Sequence, residues 1–326
     1  MSKPRITFLD ISTMDAGDID FSPLVDIGTF HCFPTTSPDE VIYRLADTDV
    51  AIVNKVVLGE EEISACPDLK LIQLSATGYN NIDLEAAAAH GVTVCNVGGY
   101  SSDTVAQHTI GLLLNLATSI HRLAAETARW CESPIFTRLD YPATELAGKT
   151  LGIAGSGNIG ERVASIAAAM GMRIQFLARP GSMKISSHGH PRVEADEFYR
   201  TSDAITLHCP LTAENRHMIN AETLTKMKPT AFLINTGRGD LVDELALATA
   251  LEKKDIAGAG LDVLSEEPPP ADHPLIRLSQ DHPGCPLIIT PHSAWTSTEA
   301  RKRLLDGMAA NIKAWRAGRP TNVVGD

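Results

Sequence analysis

Residues 150–178 read TLGIAGSGNIGERVASIAAAMGMRIQFLA. An apolar run, TLGIA, leads into GxGxxG at Gly155, Gly157 and Gly160. A segment of helical period follows, with Ile159, Val163, Ile166 and Met170 along one face. A second apolar run, MRIQFLA, begins at Met172. In a strand–turn–helix–strand unit each glycine has a physical task. The first permits the tight turn, the second lets backbone approach a pyrophosphate, and the third lets helix pack closely on strand. The helix N-terminus offers unpaired amides and a favourable dipole to phosphate. A lone GxGxxG is as readily an incidental turn. With both strands and the amphipathic helix in place, the stretch predicts a dinucleotide site.

The same rhythm extends in both directions. Downstream, AITLHCP, AFLINTG, AGAGLDV and PLIITPH read as strands, with helices between most of them. Upstream, RITFLD, VAIVNK, LKLIQLSA and GVTVCNV read as strands, and PDEVIYRLAD, GEEEISAC and NIDLEAAAAHG as helices. The last has Asn81 or Asp83 as its cap and Gly91 just beyond its end. Strand and helix in alternation predict an α/β protein whose parallel sheets are covered on both faces. Between the two series lies a long apolar helix over roughly 104–128, then an aromatic, proline-bearing segment, RWCESPIFTRLDYPATELAGK, expected to be a packed arm. The closing segment carries Leu304, Leu305, Met308, Ile312 and Trp315 at helical spacing and could fold back onto either domain.

With 326 residues, the chain suits two domains or one large α/β unit. Its 40 acidic against 28 basic side chains, a net charge of −12, disfavour nucleic acid or an anionic membrane as partner. No apolar run reaches the length of a membrane span, and the N-terminus is too polar for a secretory leader. Six scattered cysteines without a CxxC pair read as buried free thiols rather than disulfides or a zinc site. These features together predict a cytoplasmic protein. His188 and His190 form an HxH pair with no further ligand nearby, so no metal is expected, and His273 and His282 fall in polar loop expected to be solvated.

At the end of the second strand an NAD site would place a carboxylate for the adenosine ribose. Ala178 stands there, followed by Arg179. A guanidinium matches phosphate geometry with paired donors, so the 2′-phosphate of NADP becomes acceptable and NADP(H) is favoured over NAD(H). Ser182, Lys184 and Arg192 could add to that pocket. Three other charged side chains follow strand ends: Arg238 in LINTGRGDLVDE, Glu267 in GLDVLSEEPPP and His292 in IITPHSAW. In open α/β sheets ligands gather at those ends. The arginine can hold a carboxylate and polarise the adjacent carbonyl. The histidine can exchange a proton with the reacting oxygen, and the carboxylate can orient the ring and stabilise its protonated form. Singly, each could be a turn arginine, a loop acid or a structural histidine. Together, behind a dinucleotide turn, they predict hydride transfer to a 2-oxo acid.

GSGNIG, LHCPLT, KPTAFLINTGRGDLVDE, GAGLDVLSEEPP and ITPHSAW, in this order, resemble the D-isomer-specific 2-hydroxyacid dehydrogenases over essentially the whole chain. The resemblance implies two Rossmann-like, doubly wound parallel-sheet domains, with the substrate domain built from both chain ends: residues 1–103 with 297–326, against a dinucleotide-binding domain over 104–296. It implies a homodimer whose contacts use the long helix and the arm. On matching positions it makes Arg238 the substrate clamp, Glu267 the partner of the histidine and His292 the acid/base. Asn158 and Ile159 match residues touching the pyrophosphate. Asn235, Thr236, Gly237 and Asp262 match positions near the nicotinamide, while His208, Cys209, Pro210 and Thr104 line the cofactor side. Ser75, Ala76, Thr77 and Gly78 match the loop whose amides receive the substrate carboxylate. Two positions depart from the pattern: Gly237 stands where alanine is usual, and the acid at 178 is missing.

SATGYNNIDL, VCNVGGYSSDTVAQHT, the arm, and Asn54 with Lys55 look most like glycerate dehydrogenases or hydroxypyruvate reductases. That match implies hydroxypyruvate and glyoxylate as substrates. A D-lactate or phosphoglycerate specificity is the alternative within the family, and a dinucleotide-sensing interaction protein of the same fold is the alternative outside catalysis.

Overall fold

A computed structural model describes residues 3–179, 185–186 and 188–325. The chain forms two compact units, residues 1–101 with 295–326, and residues 102–294.

In the first unit, β1 (Arg5–Phe8), β2 (Thr29–Cys32), β3 (Val50–Val53), β4 (Leu71–Leu74) and β5 (Thr93–Cys95) make a parallel sheet in the order β2-β1-β3-β4-β5. The alternation of side chains across a strand divides its core into two layers. Ile6, Phe8, Val50, Ile52 and Leu71 face one way; Ala51, Val53, Ile72 and Leu74 face the other. The terminal helix Thr298–Arg316 joins the first layer through Leu304, Leu305, Met308 and Ile312, which decides the domain it serves. Asp83 caps the helix Leu84–Ala89 by accepting from the Ala86 amide. The edge strand β2 escapes the sequence pattern because three of its four residues are exposed.

The second unit contains β6 (Thr150–Ala154), β7 (Arg173–Leu177), β8 (Arg192–Val193), β9 (Ala204–Leu207), β10 (Phe232–Asn235), β11 (Gly258–Leu261) and β12 (Leu287–Ile289). They are parallel, in the order β12-β11-β10-β9-β6-β7-β8. From β6 the chain runs outward to β7 and β8, then crosses back to β9 on the opposite side of β6. The strand order therefore reverses between β6 and β9, and such a switch point opens a crevice at the carboxyl ends of the strands. Ile153, Phe176, Phe232 and Ile234 pack toward the helix Ser102–Thr118, while Ile205, Leu207, Leu233 and Leu261 pack on the other face.

The long helix expected over 104–128 is interrupted. Ser119 takes a left-handed conformation with φ 55°, and a separate helix, Ile120–Ala125, follows. The Ala117 carbonyl, which a continuing helix would need, instead accepts from the Thr144 amide at 2.7 Å. The expected packed arm is also corrected. Trp130, Ile135, Phe136 and Leu139 are exposed, Phe136 to 90%. What holds the arm is polar: the Glu126 carboxylate accepts from Arg138, Tyr141 and Arg129 at 2.6–2.8 Å. Arg138, with lesser help from Tyr141 and Arg129, holds that carboxyl down to about 2. Cys66 and Cys95 are buried free thiols, but Cys32 and Cys131 are exposed. Among the described residues no helix is long and apolar enough to cross a membrane.

Candidate active site

The glycine turn follows β6 directly at the switch point. A Cβ on Gly160 would stand 2.0 Å from the Gly155 carbonyl oxygen, so only glycine lets the helix Asn158–Ala169 lie this close to the strand end. Gly155, at φ +110°, lies against the His208–Cys209 backbone, where a Cβ would meet atoms at 2.6–2.7 Å. Gly157 differs: nothing lies within 4 Å of its missing Cβ, so this side of the turn is open to approach. It occupies the cap position without a side chain to serve the first-turn amides, which are left for an outside acceptor. A cavity of about 270 Å³ continues from the turn, lined by Leu177, Arg179, Cys209, Pro210 and Met218 among others. The residues present thus fit a dinucleotide: an anion cradle joined to a slot with apolar walls. Arg179 is exposed at its edge, and Ala178 is tied through its amide to Val193. Arg192 donates to Ser156 Oγ, inside the glycine turn, at 2.8 Å. Ser182 and Lys184 lie outside the described residues.

Beyond β9, burial pushes the His208 imidazole down to about 3, so it is neutral at physiological pH. Its Nε2 meets Thr206 Oγ1 at 2.7 Å, and Thr236 Oγ1 meets Thr109 Oγ1 at 3.0 Å. Burial pushes the Cys209 thiol up, away from thiolate chemistry. Thr104 lies in the first turn of the helix Ser102–Thr118.

Past β10, fully buried Asn235 shapes the next loop with both ends of its amide. Oδ1 accepts from the Gly237 amide at 3.0 Å and Nδ2 donates to the Arg238 carbonyl at 2.8 Å. Arg238 Nη1 donates to the Gly237 carbonyl, and no carboxylate among the described residues forms an ion pair with the guanidinium. The fork is therefore available to an incoming carboxylate.

His292 and Glu267, 25 positions apart, meet at 2.6 Å between Nδ1 and Oε2. The other oxygen of Glu267 accepts from the Leu264 amide at 3.0 Å, which sets the carboxylate. With Nδ1–H given to Glu267, Nε2 is the ring nitrogen left for proton exchange. Asp262, past β11, holds the histidine's loop from beneath. Its buried carboxylate accepts from Thr290 Oγ1 and from the amides of Ser293 and Ala294 at 2.6–2.9 Å, and its carbonyl accepts from the His292 amide. The Asp262 carboxylate is thus engaged by this loop, and His108 Nε2 lies 3.5 Å from its Oδ1.

Two histidines differ in their surroundings. His282 is exposed, whereas His273, expected in solvent, is buried and meets buried Glu244 at 2.9 Å. Its polar loop is folded back by the helix it begins, Pro274–Asp281, a tertiary contact that local composition does not carry. His188 is largely exposed and reaches Glu161 at 3.0 Å. Among the described residues no group of three or more His, Cys, Asp or Glu is arranged to hold a metal.

In the first unit, Ser75 continues β4 and is buried. The amides of Ala76, Thr77 and Gly78 carry no hydrogen bond among the described residues, an arrangement suited to an anion. The loop is held from outside its amides, by Thr77 Oγ1 to the Val97 carbonyl and the Val97 amide to the Ala76 carbonyl. The amides of Asn54 and Lys55, by contrast, are taken by buried Asp10 at 2.6–3.1 Å, so only their side chains remain to meet a ligand.

A family model described as D-isomer specific 2-hydroxyacid dehydrogenase, NAD binding domain, matches residues 110–294. The chain belongs to the D-isomer-specific 2-hydroxyacid dehydrogenase family. Among its relatives, a glycerate dehydrogenase of Methylorubrum extorquens is 39% identical over 98% of both chains. A hydroxypyruvate reductase of Blautia hydrogenotrophica is 35% identical over 98% of this chain and 99% of its own. Among solved structures, an acyclic imino acid reductase (Bsp5) in complex with NADPH and D-Arg is 32% identical, with a TM-score of 0.84, covering 98% of this chain and 100% of its own. As a member of this family the chain is an NAD(P)-dependent oxidoreductase acting on a small 2-oxo or 2-hydroxy acid. Its histidine–glutamate pair is the acid/base element of that chemistry.

Proposed function

We propose that this dehydrogenase reduces hydroxypyruvate or glyoxylate to the corresponding 2-hydroxy acid, prefers NADPH to NADH, and works in the cytoplasm as a homodimer. The observation that carries the chemistry is the 2.6 Å contact of His292 with Glu267, in the same unit as the Arg238 fork. Arg238 holds the substrate carboxylate in a bidentate grip and draws electron density from the adjacent carbonyl. The amides of Ala76–Gly78, free among the described residues, are suited to a carboxylate, which supports reading their unit as the substrate-binding domain and residues 102–294 as the dinucleotide-binding one. When bound along the glycine turn, a nicotinamide dinucleotide supplies the two electrons and the hydrogen that reach the carbonyl carbon. His292 Nε2 delivers the proton to the carbonyl oxygen, and Glu267 keeps the ring aimed while its charge changes. The choice of substrate rests on likeness to the glycerate dehydrogenase and the hydroxypyruvate reductase. Initial rates with hydroxypyruvate, glyoxylate, pyruvate and phenylpyruvate, each with NADH and NADPH, test it directly. Faster turnover of pyruvate or phenylpyruvate would reject the assignment.

NADPH preference is supported by the slot beyond β7. Ala178 removes the carboxylate that would repel a 2′-phosphate, Arg179 lines the cavity, and Arg192 is nearby with its Nε buried and unpartnered among the described residues. Ala178→Asp should lower the NADPH-to-NADH ratio of kcat/KM by about tenfold or more, since a like charge set against the phosphate is costly. An unchanged ratio would detach these residues from cofactor choice.

The homodimer is supported by the exposed side chains of Trp130, Ile135, Phe136 and Leu139 on one arm. Apolar surface gathered in this way marks an interface. Sedimentation equilibrium should give a dimer for the native chain and a monomer for Phe136→Glu. A native monomer would end the proposal.

A further inference from the structure

Behind the His292–Glu267 pair stands a second acid–imidazole pair, Glu244 with His273. We infer that this buried pair is a positioning clamp, which fixes the loop that carries Glu267 and so sets the geometry of the His292–Glu267 pair. The inference rests on the reading of His292 and Glu267 as the acid/base element.

Glu244 opens the helix Glu244–Lys253, six residues after Arg238. Its carboxylate is 9% exposed and points away from solvent into the loop that carries Glu267. Oε1 accepts from the Ser265 amide at 2.9 Å; Oε2 accepts from both the Ser265 hydroxyl and His273 Nε2. His273, 6% exposed, begins the helix that closes the loop, and its Nδ1 is buried without a partner among the described residues. The ring therefore gives its Nε2–H to Glu244 and has no acceptor for a proton on the other side. One carboxylate thus ties the loop at Ser265, two residues before Glu267, and at His273, six residues after it.

The Arg238 loop is held in the same place. A Cβ on Gly239 would stand 2.0–2.2 Å from the backbone of Leu264 and Ser265, so the two loops lie in direct backbone contact. Leu264 is also the residue whose amide sets Glu267 Oε1. The connections run unbroken from Glu244 through Ser265 and Leu264 to Glu267, and from there to His292. Burying a carboxylate beside an imidazole carries a desolvation penalty that apolar side chains of the same volume would avoid. Hydrogen bonds of fixed direction are what the polar pair adds, and a loop bearing a catalytic partner needs them.

A double-mutant cycle tests the clamp, with cofactor affinity read by direct titration and fold by thermal melting. In the native background His273→Ala should lower kcat by about tenfold through its coupling to Glu267, with dinucleotide affinity unchanged. In a Glu267→Gln background the same substitution should cost almost nothing, because the group it positions is already impaired. Ser265→Ala, a milder change at an exposed position, should repeat the pattern, and it decides the matter if His273→Ala fails to fold. Equal losses in both backgrounds, or no loss in the native one, would overturn the clamp. If Glu267→Gln is itself fully active, the acid/base reading fails first and the clamp falls with it.

Discussion

His292→Ala is expected to lose roughly 10²–10⁴-fold in kcat, the range over which a positioned general acid acts, while binding dinucleotide as the native chain does. The separation follows from where the groups sit. The glycine turn and the cavity beyond it are built from residues 154–160, 177–179 and 209–218, and among the described residues the His292 ring's hydrogen bond goes elsewhere, to Glu267. The ring's Nδ1 is engaged with Glu267, so removing the imidazole takes away the proton donor and leaves a carboxylate in its place. That carboxylate would accept rather than donate at the reacting oxygen, which argues for the upper part of the range. Stopped-flow measurement of a single turnover, with fluorescence titration of NADPH, separates the two effects. Full activity in the variant would remove His292 from the chemistry, and lost cofactor affinity would place it in the binding site instead.

Arg238→Lys is expected to lower kcat/KM by about 10²–10³-fold, as for the loss of one preorganised donor to a reacting group. Lysine keeps the charge but not the planar fork, so one ammonium cannot grip two carboxylate oxygens and face the carbonyl together. The native arginine is prepared for this by Gly237, whose carbonyl accepts from Nη1, and by Asn235, which holds the loop at both ends of its amide. The loss should therefore appear in KM and kcat together. Unchanged kinetics, or a change in cofactor affinity alone, would deny Arg238 the role of clamp.

Much of the fold was legible because it repeats a local signal. The runs at 50–53, 71–74, 204–207 and 232–235 are buried on both faces and read as continuous apolar strands, as parallel sheets require. The glycine turn was equally plain, since its spacing is dictated by backbone contact. Elements that carry little burial escaped: the exposed edge strand β2 and the two-residue β8 have no periodicity to detect. The break at Ser119 was hidden for another reason. The Thr144 amide that takes the Ala117 carbonyl comes from 25 positions beyond the break.

The site divides in the same manner. Read alone, the chain determined the residue types and their order: a phosphate-binding turn, an alanine and arginine in place of an acid, then arginine, glutamate and histidine each following a strand. These are properties of short segments, where spacing and side-chain chemistry suffice. The structure brings Glu267 onto His292, the pairing the family resemblance implies, but only the tertiary structure decided that Asp262 engages the histidine's loop and that His273 leaves solvent to meet Glu244. It also decided that the aromatic arm lies open rather than packed. Each of these depends on which distant groups a side chain meets once the strands are ordered. The burial of these polar groups and the partners they meet belong to the assembled sheet and its crossing loops, and no local pattern encodes them.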